Sequence, residues 1–263
     1  MDAKVCVFVD GENFRRAIVD LFGNGTSPMF NKDEHLPKQA NWATLFDWMV
    51  GEATEGDGKA LRTRTYWYVV RHMDFRPWFP LNDQVKMKEL FIRHNKLKPT
   101  IEGLSGNELD DKIKETVQRC LKYKNTMTNR FKRWNDMYDV ISANHKSIEF
   151  RRAGTIHCDL PSGELFNEKA VDVNLAVDMI MLRNNYDIAL LVSGDQDYVP
   201  AVQAAKNFGK KVINVAFMKK NNELLPNGAR RLRHKTDWSL EFDYETFKTW
   251  LFADGSQRKR ISP

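Results

Sequence analysis

Lys4-Val5-Cys6-Val7-Phe8-Val9-Asp10-Gly11-Glu12-Asn13 decides the fold of this chain. Five consecutive apolar residues, three of them valine, predict a strand buried on both faces, and Asp-Gly closes it. Two later stretches have the same form: residues 187–192 (DIALLV), which end in Ser193-Gly194-Asp195, and residues 211–217 (KVINVAF). Residues 63–70, rich in β-branched and aromatic side chains, predict a second strand in chain order, and residues 147–152 a third. Between the strands, apolar residues recur at helical spacing over 14–22, 41–50, most of 83–145, 198–208 and 243–252. The pattern breaks at residues 24–28 (NGTSP), and Gly209 reads as a helix C-terminal glycine. Residues 168–183 are apolar on nearly every side and predict a buried helix. Strands that alternate with helices and read as continuous apolar runs give an α/β fold: a parallel sheet covered on both faces.

The totals set the limits. The 263 residues with 42% hydrophobic content can bury a substantial core, which excludes intrinsic disorder for most of the chain. No run has the length of apolar sequence that a membrane span needs. The N-terminus lacks the form of a secretory signal, so a soluble, cytoplasmic protein is expected. Three isolated cysteines, Cys6, Cys120 and Cys158, argue against a disulfide framework or a Cys/His zinc site. The organisation expected is one domain over residues 1–250, carrying a helical insertion at about 72–146, then a flexible basic tail at 251–263. Homo-oligomer formation is left open.

Acids collect where such a sheet binds ligands, beyond the carboxyl ends of its strands. The first strand ends in Asp10 and the fourth leads to Asp195 and Asp197. Asp172 falls in the first turn of the helix after the third strand, and right-handed crossovers start their helices at that same edge. If the first and fourth strands are neighbours, Asp10, Asp172, Asp195 and Asp197 converge. Partly buried carboxylates repel and need a positive partner, and Lys169 is the only cation inside these motifs. A hard divalent cation, Mg²⁺ or Mn²⁺, suits few carboxylates with several waters, and its chemistry points to phosphodiester hydrolysis. Each acid also has a plain structural reading. Asp-Gly is a common turn, Asp195, Asp197 or Asn13 can cap a helix, and Asp178 reads as a buried structural carboxylate.

Three blocks together resemble the NYN family of PIN-like nucleases, in particular its LabA-like group. They are Phe8-Val9-Asp10-Gly11-Glu12-Asn13, residues 169–178 (KAVDVNLAVD) and residues 193–200 (SGDQDYVP). The resemblance implies a doubly wound five-stranded parallel sheet in the order 3-2-1-4-5, which sets the first and fourth strands side by side. It implies that Asp10, Asp172, Asp195 and Asp197 are the metal cluster, with Asn13 and Ser193 as polar companions, and that the substrate is RNA. Ala170 departs from the family, where many members have glycine. On this reading Asp10 and Asp195 are the main metal ligands, while Asp172 and Asp197 complete the cluster or orient the attacking water. Lys169, three residues before Asp172 and so expected on the same helix face, contacts the scissile phosphate or offsets the acids.

The basic excess of the chain is local: eight cations face one acid between Lys112 and Arg133, against a net charge of +6 for the whole chain. One or two amphipathic helices with a cationic face are expected there, with Lys112, Arg119, Lys122, Lys124, Arg130, Lys132 and Arg133 contacting phosphates. Residues 71–79 are expected to form a strand-end loop in which Arg71, Arg76 and Trp78 suit single-stranded nucleic acid. Two rivals stand beside the nuclease. A phosphatase of the haloacid-dehalogenase type would need an acid/base Asp where Glu12 stands. A non-catalytic RNA-binding or regulatory module would use the basic helices alone.

Overall fold

Asp10 is both the last residue of a strand and the cap of the helix that follows, with no loop between them. The computed structural model describes residues 2–22, 30, 35–37, 40–54, 59–166, 168–225 and 230–252. The expected break at 24–28 and the basic run Arg258-Lys259-Arg260 lie outside these residues. The elements are β1 (Ala3–Asp10), α1 (Gly11–Phe22), α2 (Trp42–Glu52), β2 (Ala60–Arg76), α3 (Gln84–Arg93), α4 (Gly106–Asn144), β3 (Ile148–Asp159) and β4 (Glu164–Leu165). They continue with α5 (Val171–Met181), β5 (Ile188–Val192), α6 (Val199–Asn207), β6 (Lys211–Phe217), α7 (Arg230–Lys235), β7 (Trp238–Phe242) and α8 (Tyr244–Leu251).

The sheet has seven strands in the order β4-β3-β2-β1-β5-β6-β7. The expectation of five strands is corrected: the five read from the sequence lie consecutively, but the antiparallel β4 is added at one edge and β7 at the other. β1 runs parallel to β2 and β5, and β6 runs parallel to β5 and β7. Asp10 pairs with Tyr68 of β2, and Val9 with Val192 of β5, so the first and fifth strands end level.

The chain divides into two compact units. The first, Met1–Val69, Met137–Ala153 and Ala170–Pro263, holds the central parallel strands. Val5 to Val9 are fully buried there because helices cover both faces of the sheet, as a continuous apolar run requires. Phe14 of α1 anchors one layer, with ring centroids 5.5 Å from Trp67 and 5.6 Å from Phe217. α5 departs from the sequence reading. Val171, Leu175 and Met179 are buried, but Val173, Val177 and Met181 are 51–67% exposed, so the helix is not buried on every side. Its apolar composition exceeds what one packed face uses.

The second unit is Val70–Asp136 with Gly154–Lys169. Its own core joins Phe79, Met87, Phe91, Leu97, Ile113, Val117, Cys120 and Leu160. Its basic stretch is one helix, the 39-residue α4, rather than two. Residues 71–76 continue β2 as strand rather than belonging to the strand-end loop expected over 71–79; prolines follow at 77 and 80. No described helix is long and apolar enough to cross a membrane.

Candidate active site

The end of β1 is built around one carboxylate. Asp10 is only 3% exposed. Its Oδ1 accepts the backbone N–H of Asn13 (3.1 Å), the N-cap arrangement that starts α1 at once. Its Oδ2 accepts the hydroxyls of Ser193 (3.0 Å) and Tyr198 (3.3 Å). Gly11 permits the abrupt turn: a Cβ there would stand 2.2 Å from the carbonyl oxygen of Tyr68 on β2.

Asp172 enters from the first turn of α5. The carboxylate oxygens of Asp10 and Asp172 come within 4.8 Å of one another. The Tyr198 hydroxyl lies between them, 3.1 Å from Oδ1 of Asp172. A phenol has one proton to give, so it donates to one acid at a time. Burial pushes the Asp10 carboxyl up to about 6; the Asn13 N–H opposes this and the charge of Asp172 adds to it. Asp172 is also raised, by burial first and then, against the Tyr198 hydroxyl, by the charges of Asp195 and Asp197. Tyr198 itself is held far above the usual phenol range by burial and by the two acids.

The loop after β5 ties these groups together. Ser193 is buried, and its hydroxyl also accepts the N–H of Asp195 (3.0 Å). Asn13 uses its side-chain oxygen to accept the N–H of Gly194 (2.9 Å), which fixes the β5 end against α1. Asp195 caps the short 3₁₀ turn at Gln196–Tyr198, its Oδ1 accepting the Asp197 N–H at 2.9 Å. Asp197 is exposed. Asp195 and Asp197 therefore influence Asp172 through charge, but stand outside the carboxylates close enough to share one ion.

Two residues that the sequence reading quoted but did not assign take part. Tyr198 is the bridge between the acids. Asn214, in the middle of β6, is fully buried and donates to the carbonyls of Ser193 (2.7 Å) and Leu191 (3.3 Å). An amide interrupting the apolar run KVINVAF was its signal. Glu168, four residues before Asp172 in the chain, is a further half-buried carboxylate that was passed over.

Lys169 requires a correction. It is not on the helix face of Asp172: it lies in a backbone bridge with Thr155, and Ala170 then turns left-handed (φ 72°) before α5 begins. That φ explains why glycine suits the position. Glu12 is bound by Arg15 (2.7 Å) and Arg16 (2.9 Å). Burial would raise its carboxyl, but these two arginines outweigh it and hold the group below its usual range. A charge-paired Glu12 is a poor general acid, which removes the support for the phosphatase reading.

Among the described residues, every hydrogen-bond donor to Asp10 and Asp172 is neutral. Two carboxylates without a lysine or arginine, offering hard oxygen donors, fit a divalent cation of the Mg²⁺ or Mn²⁺ type.

The second unit carries the expected cations. Arg71 is exposed on β2, and Arg76 is exposed and paired to Asp74 (2.9 Å). Lys112 pairs with Glu115 (2.7 Å). Arg119, Lys122, Arg130, Lys132 and Arg133 are exposed on α4 and make no ion pair among the described residues. Arg119, Lys122, Arg130 and Arg133 fall on one stripe of the helix.

A model of the NYN domain matches residues 84–235, more than half of the sequence. The chain belongs to the NYN domain family. NYN domains form a PIN-like nuclease family, and the matched residues include Asp172, Ser193, Asp195 and Asp197 but begin after Asp10. No curated protein matches the chain. A crystal structure of a protein of unknown function, VPA0982 from Vibrio parahaemolyticus RIMD 2210633, is similar over 92% of this NYN chain and 94% of that one, with 12% identity and a TM-score of 0.41.

Proposed function

We propose that this chain is a divalent-metal-dependent ribonuclease, a NYN domain of the LabA-like kind, that hydrolyses RNA phosphodiester bonds at the ends of β1 and β5. The observation that carries the reading is the Asp10–Asp172 pair, bridged by the Tyr198 hydroxyl and held by neutral donors, with no cation bonded to either acid among the described residues. Asp10 and Asp172 hold the metal, directly or through water. A bound Mg²⁺ or Mn²⁺ supplies charge neutralisation at the phosphoryl oxygen and acidifies a coordinated water.

The chain's own residues do the rest. Ser193 fixes the Asp10 carboxylate and the Asp195 backbone through one hydroxyl, so that the two strand ends keep a constant separation. Asp172 completes the cluster, and the exposed Asp197 orients the attacking water as a general base. In-line attack leaves 5′-phosphate and 3′-hydroxyl ends. The α4 stripe contacts the RNA backbone without regard to sequence, through interactions that salt weakens.

The test is cleavage of end-labelled single-stranded RNA with Mg²⁺ or Mn²⁺, comparing wild type with Asp10→Asn and Asp172→Asn. Cleavage by wild type that both variants lose supports the site; equal cleavage by all three removes it. One observation favours a second reading, a non-catalytic RNA-binding module: both oxygens of Asp10 are already hydrogen-bonded and nearly out of reach of solvent. Binding by all three proteins with cleavage by none decides for that module.

A further inference from the structure

We infer that a groove in the second unit is a stacking subsite for an unpaired nucleobase, so that the RNA this chain engages is single-stranded where it meets the groove. The inference rests on the proposal that the partner is RNA, and it supplies what that proposal lacks, a feature that separates single strands from duplexes.

The groove has a volume of about 360 Å³ and is lined by Phe75, Pro77, Trp78, Leu81, Leu121 and Lys124, among others. This is the lower end of the range for small-molecule pockets: room for one planar group, too little for a helix. Trp78 is 77% exposed, although its neighbour Phe79 is buried in the unit's core. The backbone that carries the indole is fixed. Phe79 anchors the chain on one side, and the turn after it is closed by the N–H of Leu81 donating to the Phe79 carbonyl (2.9 Å) and that of Asp83 to the Pro80 carbonyl (3.0 Å). A tryptophan on a fixed backbone has only two side-chain torsions to order when something stacks on it.

Charge selects the occupant. Lys124 lies over the Phe75 ring, 5.7 Å from its centroid, and makes no ion pair among the described residues. It therefore brings a cation to the wall of an aromatic groove, while Lys86 at the rim is neutralised by Asp83 (3.0 Å). Arg119 and Lys122 face away from Lys124 on the same helix and do not line the groove, so Lys124 is the cation it offers among its described lining residues that carry no ion pair. An aromatic floor with one lysine beside it that carries no ion pair among the described residues matches a base attached to a phosphate, and stacking accepts any of the four bases. In an A-form duplex the bases are stacked on each other and cannot enter.

The experiment measures binding with metal chelated, so that its outcome does not depend on cleavage. The probes are a short labelled single-stranded RNA, the same sequence annealed to its complement, and inorganic polyphosphate. Wild type is expected to prefer the single strand. Trp78→Ala, at a position outside the core, should weaken single-strand binding roughly 5- to 150-fold and leave polyphosphate binding unchanged. Trp78→Phe should recover most of the loss. Lys124→Gln should weaken both the RNA and polyphosphate. The inference is overturned if Trp78→Ala binds single-stranded RNA as well as wild type does, or if single strand and duplex bind equally. It is also overturned if a proline-rich peptide, rather than RNA, is the ligand whose binding depends on Trp78. Failure of the cleavage assay alone would leave this result standing.

Discussion

Asp172 and Asp178 lie on the same helix, α5, six residues apart, and their surroundings treat them oppositely. Asp178 accepts the Tyr68 hydroxyl (2.8 Å) and is paired to Arg151, which also bonds Glu149 and lies 4.4 Å over the Tyr66 ring. Its charge is matched by a cation that is itself fixed by packing, and burial together with Asp178 lifts the Tyr68 phenol above its usual range. Asp172 faces Asp10 with a shared phenol between them and, among the described residues, no cation bonded to either. A carboxylate whose charge is balanced inside the fold is a structural element. A pair whose charge is unbalanced holds free energy that a ligand of opposite sign can release.

The largest expected effect separates the two. Asp10→Asn or Asp172→Asn should lower metal-dependent cleavage by about 10²-fold or more, beyond what the loss of an outer partner costs a metal site. Asp178→Asn should leave cleavage within a few-fold and instead lower stability by about 1–3 kcal/mol, because Arg151 keeps only Glu149 of its two carboxylate partners. Parallel cleavage assays and urea titrations of the three variants check this. The contrast breaks if Asp178→Asn is as inactive as the others.

The pH dependence of stability sharpens it. The Asp10 carboxyl, ordinarily near 3.8, is raised to about 6. Between those values the folded chain keeps a proton that the unfolded chain has released. With metal chelated, stability should therefore fall as pH rises from about 4 to 6, by roughly 3 kcal/mol, and level off above. Asp172, raised for similar reasons, adds in the same direction. Asp10→Asn should flatten much of this slope; an unchanged slope in denaturation curves across that window would place its origin elsewhere.

Tyr198→Phe removes the phenol from both acids without changing the ring. It should raise the carboxyl values further and weaken divalent-metal binding about 10- to 100-fold, read by titration calorimetry, with little change in the fold. The smallest effect is expected at Ala170. Relief of its left-handed strain in Ala170→Gly, partly offset by a looser unfolded chain, should raise stability by about 0.5–1 kcal/mol and leave metal affinity unchanged.

The central strands could be read from sequence because residues buried on both faces must be nearly all apolar, as the middles of β1 and β5 are throughout and β6 is apart from Asn214. β7 was not legible. Trp238, Ser239 and Leu240 are only half-buried at a sheet edge, and such a strand carries no comparable signal. Nor was the full length of β2, where the prolines at 77 and 80 suggested an earlier end than pairing in the sheet allows. In the site, Asp10 and Asp172 stood out because acids at strand and helix ends are conspicuous. Lys169 was misplaced because helical spacing assumes a helix, and the left-handed step at Ala170 delays its start. Tyr198 was hidden because a tyrosine after an acidic turn reads equally well as core, and Trp78 and Phe79, adjacent in sequence, have opposite fates that spacing does not separate.

The missing loop between β1 and α1 leaves the acid at their junction no slack. Any side chain at position 11 would press on the Tyr68 carbonyl oxygen, and the segment that would have to yield is the one that presents Asp10. Saturation mutagenesis of that codon should thus return a single amino acid among functional clones, while position 12, whose side chain turns toward Arg15 and Arg16, tolerates exchange.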